Sequence, residues 1–367
     1  MEPLKNIFSP TFISSVADSL KAVYPELSVK KFIHAVFNED WDNKELKQRI
    51  RHLSTVIHQF LTKDFTTDSG ILISWVHFLK HKYGEKQCLE YIFLADYIEV
   101  YGQHDFTCSL NAIEEITQFT SCEFAIRPFI IKNPQKVMKQ MLKWSRHKNQ
   151  HIRRLASEGC RPRLPWGIAI QAFKKDPSLI IPILENLKDD PSLYVRKSIA
   201  NNLNDIAKDN PNIVIDLIQR WKGHSVGTDW ILKHGARSLL KKANVKVLTL
   251  FGIDSKVKCS VVEFKLHKKI IQIGRELTFS CILKNDSKKE MRFRIEFAVY
   301  YMKSSGKQSR KLFKINEKAY PQYALISFTK NISFKDLTTR KHYEGLHKIA
   351  IVVNGNEFCE NEFHIVA

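Results

Sequence analysis

The feature that most restricts the fold is a proline-marked repeat. Asn133-Pro134 and Asp176-Pro177 stand 43 residues apart. Eighteen residues after each proline comes a matching segment, Ile152-Arg153-Arg154-Leu155-Ala156 and Val195-Arg196-Lys197-Ser198-Ile199. Asn210-Pro211 opens a third unit, whose second segment holds Trp230-Ile231-Leu232-Lys233-His234-Gly235. Asn or Asp before proline reads as an N-cap, with proline at the first helical position, where its missing N–H costs nothing. Each unit is therefore expected to be a helix pair that starts at its proline. Helix pairs recurring about every 40 residues predict a HEAT-like solenoid, in which each pair buries its apolar face against its neighbours.

Helical spacing of apolar residues extends from Phe12 to about Leu250, as in Ile71-Leu72-Ile73-Ser74-Trp75-Val76. After about Gly252 the period changes to two. Val262–Leu266, Leu277–Leu283, Phe293–Val299, Ala324–Phe328, Leu346–Val353 and Glu362–Val366 alternate apolar and polar, separated by loops such as Asn285-Asp286-Ser287 and Asn354-Gly355-Asn356. About seven short strands in this length fit an immunoglobulin-like β-sandwich. The expected fold class is thus an all-α HEAT-like repeat domain over residues 1–252, followed by an all-β immunoglobulin-like domain over 255–367. Tyr343 is a candidate tyrosine corner of the sandwich.

The formal charge is +20, from 58 Lys/Arg and 38 Asp/Glu. Such a balance favours a polyanionic partner, although a lysine-rich proteome produces the same excess without one. The residues from Ser255 onward hold 22 Lys/Arg against 11 Asp/Glu, so the sandwich is basic in its own right. Much of that charge falls in stretches read as loops, Lys284–Arg292 and Lys303–Lys314. Loops at one end of a sandwich can close over a duplex.

Seven scattered cysteines without a CxxC pair read as reduced thiols, and no His pair has metal-ligand spacing. There is no GxxxxGK[ST], no GxGxxG after a strand, no HExxH and no deaminase HxE…PCxxC pattern. No cofactor or metal is called for, and no apolar run is long enough to cross a membrane. Met1-Glu2-Pro3-Leu4-Lys5 lacks the basic start and apolar core of a secretory signal, so a cytoplasmic monomer is expected.

Chemistry concentrates between Glu123 and Asp205. The pieces are Glu123-Phe124-Ala125-Ile126-Arg127-Pro128-Phe129, then Arg161-Pro162-Arg163-Leu164-Pro165-Trp166-Gly167, then Asn201-Asn202-Leu203-Asn204-Asp205. Glu123 is expected to begin a helix and Asp205 to lie on the second helix of its repeat. Each has an ordinary reading as well: Glu123 as a solvated dipole partner, Trp166 as turn packing, Asp205 as an exposed acid. Trp144 and Trp221 read as core, and Trp230 fits either role. Arg153, Arg154, Arg161, Arg163, Arg196 and Lys197 frame the carboxylates and are candidate phosphate contacts. Arg127 reads as an anchor for the Glu123 helix.

These motifs resemble the AlkC branch of the AlkC/AlkD alkylpurine DNA glycosylases, and the appended sandwich fits members of that branch. The resemblance implies hydrolysis of the N-glycosidic bond of cationic alkylated bases such as 3-methyladenine, extending to 3-methylcytosine, in double-stranded DNA. It implies Glu123, Trp166 and Asp205 as the catalytic set, with no cofactor. The competing expectation is a non-catalytic HEAT-like scaffold that binds nucleic acid or an acidic protein.

Overall fold

The computed structural model describes residues 3–84, 86–337 and 340–367; Met1 and Glu2 of the N-terminal stretch read above lie outside the described residues. An N-terminal helical region is followed by a C-terminal β region. By compactness the chain divides into Met1–Val214 with Trp221–Gly235, and Ile215–Arg220 with Ala236–Ala367. The second unit therefore takes in helical residues ahead of the strands.

Local sequence sets the helix starts. Ser9 caps Pro10–Val23 by accepting from Phe12 N at 3.2 Å, with Pro10 in the first turn. Asp64 does the same for Phe65–Tyr83, Asp105 for Phe106–Ile116 and Asn149 for Gln150–Glu158. The repeat appears as three pairs: Pro134–Trp144 with Gln150–Glu158, Ile181–Leu187 with Leu193–Asp209, and Pro211–Trp221 with Val226–Gly235. The second helices pack side by side in that order. Pro134 and Pro211 open their helices as expected. Asp176-Pro177 does not: Asp176 accepts from Ser178 N at 2.9 Å and closes a turn, and the helix starts at Ile181. An Asx turn satisfied the same side chain that would have capped a helix.

Trp144 and Trp221, each the last residue of a first helix, are buried and fill the spaces between pairs. Trp144 Nε1 donates to Glu114 Oε2 at 2.7 Å, and Trp221 Nε1 to Glu185 Oε2 at 2.8 Å. A buried indole N–H needs such a partner.

The C-terminal unit has eight strands among its described residues: β1 (Cys259–Leu266), β2 (Ile270–Gln272), β3 (Glu276–Asn285), β4 (Met291–Met302), β5 (Gln308–Tyr320), β6 (Leu325–Ser333), β7 (Gly345–Val353) and β8 (Asn356–Val366). They form a three-stranded sheet β1-β3-β6 and a five-stranded sheet β2-β8-β7-β4-β5. Phe279, Phe293, Phe297, Ile349, Ile351 and Phe363 are part of the core. β4 and β7 are buried on both faces; Ala298, Leu312, Ala350 and Val352 form a second small cluster. The polar positions of the β4 alternation are therefore buried as well, and Arg294 Nη2 donates to Glu296 Oε1 there at 2.7 Å.

Three readings of this unit change. Lys303–Lys314 is not a loop: β4 and β5 form a hairpin whose turn spans only residues 303–307, and Arg310, Lys311 and Lys314 project from β5. They flank an adjacent apolar pair, Leu312-Phe313, so no period of two shows in the sequence. The three-residue β2 also escaped notice. Tyr343 is 39% exposed, not a buried tyrosine corner.

Candidate active site

The second helices of the first two pairs begin alike and end differently. Arg153 Nη1 donates to His147 O and Lys148 O at 2.9 and 2.8 Å. Arg196, 43 residues later, donates to Asp190 O and Pro191 O, both at 2.8 Å. Each arginine closes the turn of its own pair. Arg153 also holds Asp190 at 2.6 Å, stitching one pair to the next.

Then the patterns part. Gln150–Glu158 stops at Gly159, whereas Leu193–Asp209 runs on to Asp209. Pro162 has no N–H to give to Glu158 O, and Arg161 N takes that carbonyl instead at 3.2 Å. In the longer helix the corresponding stations are Asn202 and Asp205, and helix continues. The chain released by the early stop forms the turn carrying Trp166. It is clipped back onto the longer helix by Arg161 Nε to Asp205 Oδ2 at 2.8 Å, and by Arg163 to both oxygens of Asp209 at 2.6 and 3.0 Å.

Trp166 is 66% exposed, and its backbone lies in the left-handed region at φ +65°. A large side chain there is strained unless its surroundings hold it. Fully buried Arg127 supplies the hold: Nε donates to Ile168 O at 2.6 Å, and Nη1 to Gly159 O and Arg161 O at 2.8 and 2.9 Å. Burial pushes the Arg127 pKa down to about 10, so it remains a cation at neutral pH. Lys47 Nζ donates to Trp166 O at 2.6 Å. At Gly167 an added Cβ would meet Leu164, Phe124 and Arg127 side chains at 3.1–3.3 Å, which leaves little room for anything but glycine. The anchoring role read for Arg127 thus falls on the tryptophan turn.

The carboxylates are joined through cations. Glu123 Oε2 accepts from Arg154 Nη1 at 2.7 Å and from Ser121 Oγ at 2.8 Å. Arg154 Nη2 lies 3.8 Å from Glu158 Oε1, which accepts from Arg161 Nη1 at 2.6 Å. Arg161 continues to Asp205, whose other oxygen takes Lys208 Nζ at 3.1 Å. Burial works to lower both arginine pKa values, yet Glu123 and Glu158 hold Arg154 above its ordinary value, and Glu158 and Asp205 do the same for Arg161. Arg154 further lies over the Tyr194 ring at 4.8 Å.

Glu123 sits in the turn before Ile126–Lys132 rather than starting that helix. Ala125 occupies the cap position, which frees the Glu123 side chain to face Arg154. Asp205 is 2% exposed rather than solvated. Two members of the site escaped the sequence reading. Glu158 lies one helical turn beyond Arg154, a spacing that could have flagged it. Lys47 is 119 residues from its partner, and no local signal points to it. Of the six basic residues expected at phosphates, Arg153, Arg154, Arg161 and Arg196 are engaged within the protein, Arg163 is paired but partly exposed, and Lys197 is exposed.

The family model described as DNA alkylation repair enzyme matches residues 49–239, which contain this network apart from Lys47. The chain belongs to the DNA alkylation repair enzyme family. A second model, the C-terminal immunoglobulin-like domain of uncharacterised protein YhaZ, matches residues 260–367. "Uncharacterized protein YhaZ" of Bacillus subtilis (strain 168) is 40% identical over 365 residues, covering 100% of both chains. Among solved structures, the Pseudomonas fluorescens alkylpurine DNA glycosylase AlkC, bound to DNA containing an abasic site analog, matches with a TM-score of 0.94 and 34% identity over 100% of both chains. The family is thus matched by a chain of the same two-part build. Among the described residues no helix is long and apolar enough to cross a membrane.

Proposed function

We propose that this protein is a DNA glycosylase that hydrolyses the N-glycosidic bond of cationic alkylated bases in double-stranded DNA, with 3-methyladenine as first substrate and 3-methylcytosine as second. The observation that carries the reading is the rigidly held, solvent-facing Trp166 on a turn tied to a chain of carboxylates, Glu123, Glu158 and Asp205. The coarse activity is that of its family; the substrate and the residue roles are the proposal.

A base that already carries positive charge leaves as a neutral species, so protonation is not the main difficulty. The deoxyribose becomes cationic as the bond breaks. Fixed anions in a partly buried site stabilise that charge without reorganising. Glu123 suits this role: its carboxylate is held by Arg154 and Ser121 through one oxygen. That leaves Oε1 to face the sugar and orient a water nucleophile. Asp205, held from both sides, fixes Arg161 and adds negative charge behind it. The Trp166 face meets the deoxyribose, where cation–π attraction grows as positive charge develops on the sugar. No cofactor enters. Lys197 and Arg163 touch phosphates directly, while Arg153, Arg154, Arg161 and Arg196 set the frame. The basic loops of the sandwich, with Lys288, Lys289, Lys303 and Lys307, add contacts to the same DNA.

The test is release of methylated bases from alkylated duplex by the purified full chain, beside Glu123→Gln and Asp205→Asn. Wild type should release base, and each variant should be slower by about two orders of magnitude. Binding without release would favour the non-catalytic scaffold. Near-normal release by both variants would remove the carboxylates from the mechanism.

A further inference from the structure

The layer of first helices carries a basic surface that the site does not use. From Phe124 to Ser157 the chain holds nine Lys/Arg and no acidic residue. Arg127, Arg153 and Arg154 are engaged within the protein. Three of the others form a stripe on Pro134–Trp144, the first helix of its pair. This helix packs on its partner Gln150–Glu158 and on the next first helix, Ile181–Leu187. Val137, Met138, Met141 and Trp144 make its buried face. Its exposed residues are Gln135, Lys136, Lys139 and Lys143. At 3.6 residues per turn these fall on the opposite side of the helix, turned away from the row of second helices.

Local physics works against this stripe. Lys136 lies in the first turn, where the helix dipole disfavours a cation. The three lysines follow one another at three and four residues, the spacing at which like charges on a helix repel. Acids on the neighbouring first-layer helices are already engaged. Glu114 accepts from Trp144 Nε1 at 2.7 Å, Glu115 Oε2 lies 3.2 Å from His77 Nε2, and Glu185 accepts from Lys188 Nζ at 2.7 Å. Lys136 Nζ sits 4.0 Å from the centre of the Phe106 ring, which holds that cation at the surface. Arg146, exposed just past the helix end, adds a further positive charge.

We propose that this stripe binds the backbone of a separate DNA duplex while the carboxylate site holds the first, so that the protein passes between duplexes without release into solvent. Lys136 to Lys143 spans about 10 Å at 1.5 Å per residue, the length of roughly three backbone steps of one strand. Lysines that neutralise phosphates carry no sequence information, which suits transfer between arbitrary sites. A protein partner is matched less well. Interface centres are depleted in lysine and anchored by aromatic or apolar side chains, and this helix face exposes none. The inference rests on the duplex-binding part of the reading above.

The test is a chase. Full-length protein bound to a labelled, undamaged short duplex is mixed with rising concentrations of unlabelled duplex. The wild-type dissociation rate should climb in proportion to the chase, because the second duplex binds before the first leaves. In Lys136→Gln/Lys139→Gln/Lys143→Gln the rate should not depend on the chase. Each single substitution should lower the salt slope of transfer by about one. Lys139→Gln/Lys143→Gln spares the Phe106 contact and remains informative if the triple variant unfolds. Single-turnover base release from methylated duplex should be unchanged in these variants; slower release would place the stripe against the first duplex and overturn the proposal. A wild-type rate independent of the chase overturns it too and leaves the stripe to an acidic protein, as does equal chase dependence in wild type and variants. If transfer follows the stripe yet wild type releases no base, the surface stands and the glycosylase reading fails. If wild type releases base and transfer ignores the stripe, only the surface fails.

Discussion

The two neighbouring second helices, Gln150–Glu158 and Leu193–Asp209, show how a repeat acquires a site. Where they agree, the residues serve structure: Arg153 and Arg196 close equivalent turns with equivalent bonds. Where they disagree, the residues build the proposed site. Gly159, Pro162 and Pro165 end one helix early, and the freed chain becomes the Trp166 turn. The helix that does not stop supplies Asp205 and Asp209 to hold that turn. Sharing a period therefore says little about sharing a role, and the informative positions are those that break it.

The largest expected effect comes from cutting the tie between the two helices. Arg161→Ala leaves Glu158 and Asp205 buried without their partner. Removing one member of a buried ion pair costs about 3–5 kcal/mol. Thermal unfolding should show a large loss, and excision should fall with it. Little change in either would mean that the turn holds itself.

Next comes a contrast within the matched positions. Arg196→Ala strips two carbonyls of their donor and should cost about 1–3 kcal/mol of stability; Arg153→Ala does the same, also takes the partner from buried Asp190 and should cost more, with the salt dependence of DNA binding unchanged in both. Lys197→Ala should do the reverse: unaltered unfolding, and a salt slope reduced by about one. Exchanged outcomes would undo the division between turn-closing and phosphate-facing residues.

A smaller effect separates the sandwich from the helices. His342 and His347 are buried, and burial lowers the pKa of both. Arg340 and Lys311 push His342 the same way, His347 adds to this, and Asp336 opposes; His364 bears on His347. The unfolded chain therefore takes up protons first as pH falls below about 6.5, and folding stability drops from there down to the lowered folded-state values, below which the contribution of these histidines levels off. Calorimetry of the full chain at a series of pH values should show the drop, and His347→Gln should reduce it. The weakest expected effect is Arg163→Ala: a partly exposed pair is worth about 1 kcal/mol or less.

The helix pairs and the change to strands were legible because local patterns carry them, Asn-Pro starts and apolar period, and the RLPWG turn marks the candidate site. The connections were not. Charge in β5 read as loop because its apolar face is narrow. The helix expected from Glu123 starts at Ile126, which leaves Glu123 in the preceding turn with Arg154 as its partner. Lys47 and Glu158 emerged only when chain segments far apart in sequence were brought together. That Asp205 is buried and not solvated also needed the structure, since its partners Arg161 and Lys208 offset the cost of burial.

The account rests on the tryptophan turn being the reactive centre. Its most direct test is single-turnover release of 3-methyladenine from methylated duplex at saturating protein, comparing wild type with Trp166→Ala. Trp166 is exposed, so the fold should survive the substitution. Wild type should release base, and the variant should be slower by about thirtyfold, the worth of a desolvated cation–π contact of about 2 kcal/mol. No release by wild type, or equal rates for the two proteins, would contradict it.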